Sequence, residues 1–303
     1  MKKEIKNIQA SINRRLSNLS VETNRPFNDL LRNYGIERFL YRLSASPHRD
    51  CFVLKGALML QIWKLGPTRP TMDIDLLGRT DNTLENIMTM IKEICSSPVE
   101  PDGLDFDSNS VTVENITANM EYVGVRVKLL ARLSNVRIHM QIDIGFGDKI
   151  IPCDQMIDYP TLLDFPAPRI HGYSRESAIA EKFHAMVQHG RLNSRMKDFY
   201  DIWFLTQNLD FELSIISTAI RTVFESRDTR APLSSTDLLR MLAGDPVKSA
   251  QWKGFINNIF FQDLKIGFPE IAEMLIIFFN PVLEAIHSGN SSYTTWKHPG
   301  PWL

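Results

Sequence analysis

The chain is 303 residues long, 44% hydrophobic and 23% charged, which excludes a disordered chain and allows one large domain or two ordinary ones. Its formal net charge of −1 excludes a general electrostatic pull toward nucleic acid or an acidic membrane, so any such contact has to come from a local patch. Three cysteines, Cys51, Cys95 and Cys153, lie far apart with no CxxC pair and suit reduced thiols.

The start, MKKEIKNIQASINRR, is polar and lacks the apolar core of a signal peptide. The late stretch IAEMLIIFFNPVLEAI is interrupted by Glu273 and Pro281 and is expected to be too short to span a bilayer. A cytoplasmic protein with no membrane segment is the expectation. Up to about Ser46 the chain reads as helices, IQASINRRLSNLS and then FNDLLRNYGIERFLYRLSAS, the second opening after Pro26. FVL is then a short strand, Lys55-Gly56 a turn, and ALMLQIWKL an amphipathic helix closed by Gly66-Pro67. MDIDLL reads as a strand and TLENIMTMIKEICSS as a helix. SVTVENIT, VGVRVKLLARL and VRIHMQIDIGFG are rich in Val and Ile and strand-like.

PTLLDFPAP, residues 160–168, has the prolines of a linker, and nearly everything beyond it reads as helix. The fold class expected is α+β: a helical arm over 1–50, a small mixed-sheet core over 51–165 and an α-helical domain over 166–303.

The strand MDIDLL carries the first chemical signal. Residues two apart on a strand share a face, so Asp73 and Asp75 stand side by side, with Met72, Ile74 and Leu76 directed to the core. Two carboxylates on one face suit a hard cation such as Mg²⁺, and equally a half-exposed edge strand showing two solvated acids. In HMQIDIGFG the same alternation puts Gln141 with Asp143, so Asp143 either completes a trio of metal-binding carboxylates or bonds the turn at Gly145–Gly147. Lys55 and Gly56 sit at a strand–helix junction, where backbone N–H groups attract phosphate and a glycine admits close approach. Arg69 reads either as a phosphate contact or as a partner of Asp73.

Farther on, Arg169, Arg175, Lys182, Arg191, Arg195 and Lys197 outnumber Glu176, Glu181 and Asp198, a local basic segment. Lys182 lies on an amphipathic helix, where a solvated surface lysine is the simplest reading. Asp198 and Asp201 are three apart on a helix and share a side, one placed to orient Lys182 and the other to cap the helix or pair with Arg195. His184 and His189 have no ligand-like spacing and read as structural.

The order of FVLKGALML, RPTMDIDLL, AEKFHAM and RMKDFYDIW resembles the AbiEii/AbiGii toxin family of nucleotidyltransferases, within the DNA polymerase β-like superfamily, from about residue 30 to about residue 210. The resemblance implies a nucleotidyltransferase core in which Asp73 and Asp75 hold Mg²⁺ and the triphosphate, Lys182 contacts nucleotide phosphates and Asp198 is catalytic. Lys55, Gly56, Ala57 and Arg69 would line the nucleoside triphosphate. It also implies a toxin of a type IV-like toxin–antitoxin system that transfers a nucleotide to RNA, the tRNA 3′ end above all. A cognate antitoxin would restrain it without direct binding. The chain departs from the superfamily at Ala57, where Ser or Gly usually stands, so a serine hydroxyl for phosphate is missing while the backbone N–H donors remain. Transfer to a small molecule or a protein side chain stays open, as does a nucleotide-binding module without turnover.

Overall fold

Alternation along the long central strands decides which way the sheet faces. The computed structural model describes residues 7–63, 71–118, 122–257, 266–289 and 292–303. The chain divides into two compact units, Met1–Gly147 with Gln155–Gly172, and Asp148–Asp154 with Tyr173–Leu303. Residues 1–50, set apart in the sequence as a helical arm, fall in the same unit as the sheet.

The first unit runs α1 (Ile8–Thr23), α2 (Phe27–Ala45), β1 (Phe52–Lys55), α3 (Met59–Ile62), β2 (Asp73–Gly78), α4 (Leu84–Cys95), β3 (Leu104–Ala118), β4 (Tyr122–Leu133), β5 (Val136–Phe146), β6 (Gln155–Asp158) and β7 (Arg169–Gly172). Its strands form a seven-stranded mixed sheet in the order β3-β4-β5-β2-β1-β7-β6, with β2 parallel to β5, β7 parallel to β1, and the other neighbours antiparallel. The α+β class with a mixed sheet is therefore the observed one.

On β4, Val125, Val127, Leu129, Ala131 and Leu133 are buried, and on β5 Ile138, Met140, Ile142 and Ile144 are. The residues between them, Arg126, Lys128 and Arg132 on β4 and Arg137, His139, Gln141 and Asp143 on β5, occupy the opposite face. Helices α2 and α4 cover the apolar face, α4 through Ile87, Met90, Ile91 and Ile94 at helical spacing. Helix α2 comes so close to β5 at Gly35 that an added Cβ would meet the Ile138 side chain at 3.3 Å.

The proline-rich segment 160–168 lies along α2 instead of hanging free. The Leu162 N–H donates to Glu37 Oε2 at 2.7 Å, and Arg38 Nη2 donates to the Pro166 carbonyl at 2.7 Å. Phe165 packs its ring against Tyr34 and under the Arg38 guanidinium. Burial outweighs the neighbouring Arg38 and pushes the Glu37 carboxyl up to about 7.

The second unit is nearly all helix: α5 (Arg175–His189), α6 (Met196–Asn208), α7 (Leu213–Ser226), α8 (Thr236–Ala243), α9 (Pro246–Asn257) and α10 (Phe268–Ser288), with β8 (Phe211–Glu212) and β9 (Thr295–Trp296) forming a two-residue ladder. An aromatic core of Phe183, Phe224, Phe278 and Phe279 is closed by Trp296 and Trp302, whose indole N–H groups donate to the Thr206 and Phe278 carbonyls. Neither Glu273 nor Pro281 breaks α10, contrary to the sequence expectation. At 21 residues α10 is long and apolar enough to cross a bilayer, but its face through Ile271, Leu275, Phe278, Phe279 and Val282 is buried in this core. Glu273 avoids the core by ion-pairing with Arg240 at 2.9 Å.

Candidate active site

Strand register assembles the candidate site. Directly opposed residues run across five neighbouring strands as Lys55 on β1, Asp75 on β2, Asp143 on β5, Arg126 on β4 and Glu114 on β3. The adjoining row contains Asp73, Gln141, Lys128 and Thr112. Opposed residues on paired strands present their side chains to one face, so Asp73, Asp75 and Asp143 come together on the polar side. Ile74 and Leu76 are buried beneath them. Met72, expected to join that core, is instead 57% exposed, because β2 begins only at Asp73.

Like charges opposite each other on neighbouring strands are unfavourable. Part of that repulsion is relieved at Asp143, whose two oxygens accept from Arg126: Nε to Oδ1 at 2.8 Å and Nη2 to Oδ2 at 2.7 Å. Gln141 Nε2 adds a third donor to Asp143 Oδ2 at 3.3 Å. Asp73 and Asp75 are half-buried. They supply hard carboxylate oxygens from a rigid strand, the donor chemistry that suits Mg²⁺ shared with phosphate. Among the described residues no group of three His, Cys, Asp or Glu side chains is disposed to hold a metal by itself. The pair would therefore rely on substrate oxygens and water to complete a shell.

Gly56 is required beside this pair for two reasons. Its φ is +71°, and a Cβ built on it would lie 2.0 Å from Asp75 Oδ2 and 2.8 Å from Asp75 Cβ. The glycine thus makes room for the Asp75 carboxylate itself. Gly56→Ala is expected to destabilise the protein by about 1–3 kcal/mol, the cost of a strained backbone plus a displaced carboxylate. Urea unfolding measures it, and a change of only a few tenths would mean that the turn relaxes freely.

The nine-residue helix expected after the turn is shorter. A 3₁₀ turn over Gly56–Leu58 leads into the four-residue α3, because the apolar run is buried on more than one side. A helix that short contributes little dipole. Ala57 is buried, and Lys55 sits opposite Asp75. Arg69 lies outside the described residues.

In the second unit Lys182 is not the solvated helix lysine that its sequence suggested. Ser174 caps α5 by accepting from the Ser177 N–H, and the helix buries Ile179, Ala180, Phe183 and Met186. Lys182 lies beside that face, its side chain only 17% exposed, and Nζ donates to Asp198 Oδ1 at 3.0 Å and Asp201 Oδ2 at 2.8 Å. Arg195 Nε donates to the other Asp198 oxygen at 2.5 Å. Asp198 is 1% exposed and Asp201 0%. Burial alone would raise the Asp198 carboxyl, but Lys182 and then Arg195 outweigh it and hold it at about 2.

Next along α5, Glu181 accepts a short hydrogen bond from the Tyr173 hydroxyl. His184 is buried, bonded to Thr229 Oγ1 at 2.9 Å and to Arg227 at 3.1 Å. Burial, then Arg227, pulls it down to about 4, so it is a neutral structural group at pH 7. Arg126 was not singled out in the sequence, whereas Asp201 and Arg195 were named there as partners in the Lys182 network though not as site residues.

A family model described as "Nucleotidyl transferase AbiEii toxin, Type IV TA system" matches residues 38–275. No curated protein sequence matches the chain. Among solved structures, the chain is similar to JHP933 from Helicobacter pylori, at 14% identity and TM-score 0.44 over 83% of this chain and 89% of that one. It is also similar to a proposed nucleotidyltransferase from H. pylori, at 12% identity and TM-score 0.45 over 84% of this chain and 94% of that one.

Proposed function

The chain belongs to the nucleotidyl transferase AbiEii toxin family of type IV toxin–antitoxin systems, and we propose that this nucleotidyltransferase moves a nucleoside monophosphate from an NTP to RNA, with the tRNA 3′ end as acceptor. The observation that carries the reading is the pair Asp73 and Asp75 on the polar face of the sheet, with Gly56 clearing space for the Asp75 carboxylate. Asp73 and Asp75 would hold Mg²⁺, which when bound neutralises charge on the transferred phosphate and on the leaving pyrophosphate. Lys55, opposite Asp75, supplies a cation beside the same face for a phosphate oxygen. In the second unit Asp198 and Asp201 fix the position and charge of Lys182, which suits the phosphate contact that the family resemblance implies. Arg191 and Lys197, both exposed, offer local positive charge for RNA on a chain whose net charge is −1.

The family assignment supports reading the protein as a toxin with a cognate antitoxin. We extend this proposal to growth inhibition in the cytoplasm and to an antitoxin that restrains it without binding it. The near-zero net charge keeps a second reading open, transfer to a small molecule or a protein side chain. Incubation of the pure protein with Mg²⁺, each labelled NTP in turn and total tRNA separates the two. Label on tRNA, absent with a chelator, is the expected result and names the nucleotide. Label on protein or on a small molecule, with tRNA left unlabelled, moves the assignment to the second reading.

A further inference from the structure

The segment 160–168 covers a buried pair of opposite charges on α2. The side chains of Glu37 and Arg38 are each 1% exposed, and Arg38 Nη2 lies 2.9 Å from Glu37 Oε1. The segment engages both: the Leu162 N–H donates to Glu37 Oε2, and Arg38 Nη2 donates to the Pro166 carbonyl. The pair is incompletely satisfied all the same. Among the described residues, neither Glu37 Oε1 nor Arg38 Nε has a hydrogen-bond partner. An ionised carboxylate shut away from water with a bare oxygen is costly. A proton on Oε1 removes the negative charge and leaves Oε2 to keep the Leu162 bond.

The other charged and titratable groups around Glu37 are Asp102, held in a two-point fork by Arg42, and the phenols of Tyr34 and Tyr159. Burial pushes both phenols up, so they stay neutral near pH 7. Arg25 lies toward Tyr159, and the Arg15–Asp164 pair ties the segment down at the surface. Tyr159, just ahead of the segment, donates its hydroxyl to Gln61 Oε1 on α3 at 3.1 Å. A docked segment therefore also holds the short helix that follows the Gly56 turn.

We propose that Glu37 is a proton-operated latch: the segment 160–168 docks on α2 with Glu37 protonated and loosens when Glu37 ionises, releasing α3 with it. The sign follows from burial. Covered, Glu37 titrates at about 7, whereas its ordinary value is 4.5. Docking therefore takes up a proton, is tightest below pH 4.5 and weakens as pH rises through 7. Between pH 6 and pH 8 these two values give about a tenfold drop in the docking constant.

Hydrogen–deuterium exchange of the full chain tests this, read in peptides spanning 159–165 and 57–63 and corrected for the intrinsic pH dependence of amide exchange. In the wild type, protection is expected to fall about tenfold in both peptides from pH 6 to pH 8. Glu37→Gln, which carries no charge at any of these pH values, is expected to give a flat profile. Tyr159→Phe cuts the link to Gln61, so it is expected to keep the pH dependence over 159–165 and to lose it over 57–63. Arg15→Gln removes only the surface ion pair and is expected to retain the wild-type pH dependence. Wild-type protection that stays level between pH 6 and pH 8 would overturn the latch without any variant. A Glu37→Gln profile that falls like the wild type, or an Arg15→Gln profile that is flat, would overturn the assignment to Glu37. A Tyr159→Phe protein whose 57–63 peptide still follows pH would overturn the coupling to α3.

Discussion

Asp75→Ala is expected to lower nucleotidyl transfer by roughly a thousandfold while leaving the protein folded. The loss follows from chemistry: a metal-holding carboxylate acts where charge develops, and removal of a single preorganised electrostatic contact of that kind costs on the order of 10²–10³ in rate. The retained fold follows from the row. Asp75 stands between Lys55 and Asp143 in the register, so its removal loses an opposite charge across from the lysine and relieves a like-charge opposition, two changes of similar size and opposite sign. The net change in stability is expected to stay within about 1 kcal/mol. Single-turnover transfer and thermal unfolding on the same preparation check both halves. Asp75→Asn, nearly the same shape without the charge, is expected to match the alanine variant in rate. Undiminished toxicity in cells expressing either variant would remove the catalytic account.

How much of this was legible beforehand depends on where each contact's partner lies in the chain. The shared face of Asp73 and Asp75 follows from the two-residue period of a strand, and the same period set the buried and polar sides of β4 and β5. Arg126 was within reach of the sequence. A two-residue turn at Ser134-Asn135, with Ser134 at φ +54°, joins Leu133 to Val136, and such a turn fixes the register of the whole hairpin. Counting seven residues outward from each end of it arrives at Arg126 and Asp143.

The opposition of Asp75 and Asp143 was not legible in that way, because β2 and β5 are parallel neighbours separated by two other strands and a helix. Lys182 was half legible: its own helix shows a polar residue beside an apolar face, which suggested solvent, whereas the three-residue spacing of Asp198 and Asp201 on α6 already placed a carboxylate to orient it. The pairing of β8 with β9 involves two residues on each side, too few for any period to register. In α10 the glutamate and proline that suggested interruptions are accommodated, one by an exposed arginine and the other inside a continuous helix.

The Lys182 network carries the largest expected effect on stability. Removing one partner of a buried ion pair leaves an uncompensated charge, which typically costs 3–5 kcal/mol. Lys182→Met is expected to reach that range at pH 7, since Asp198 keeps only Arg195 and Asp201 loses the ammonium that holds it at 2.8 Å. The pH dependence identifies the cause. In the wild type Asp198 titrates at about 2 in the folded protein against an ordinary 3.8, so its ionised form binds the fold more tightly. That contribution, about 2 kcal/mol, is present above pH 4 and is lost as pH falls from about 4 to about 2.

Without Lys182 the balance at Asp198 changes: burial, which raises its carboxyl, is opposed by Arg195 without the lysine that contributes most to lowering it. The acid-side loss of stability is therefore expected to shrink in Lys182→Met. Urea midpoints measured between pH 7 and pH 3 are expected to fall more for the wild type than for the variant at the acid end. Parallel curves for the two proteins would mean that Lys182 does not set the Asp198 carboxyl. A flatter curve confined to the variant would assign its instability at pH 7 to the charge of Asp198 left with less compensation, within an otherwise apolar helix packing.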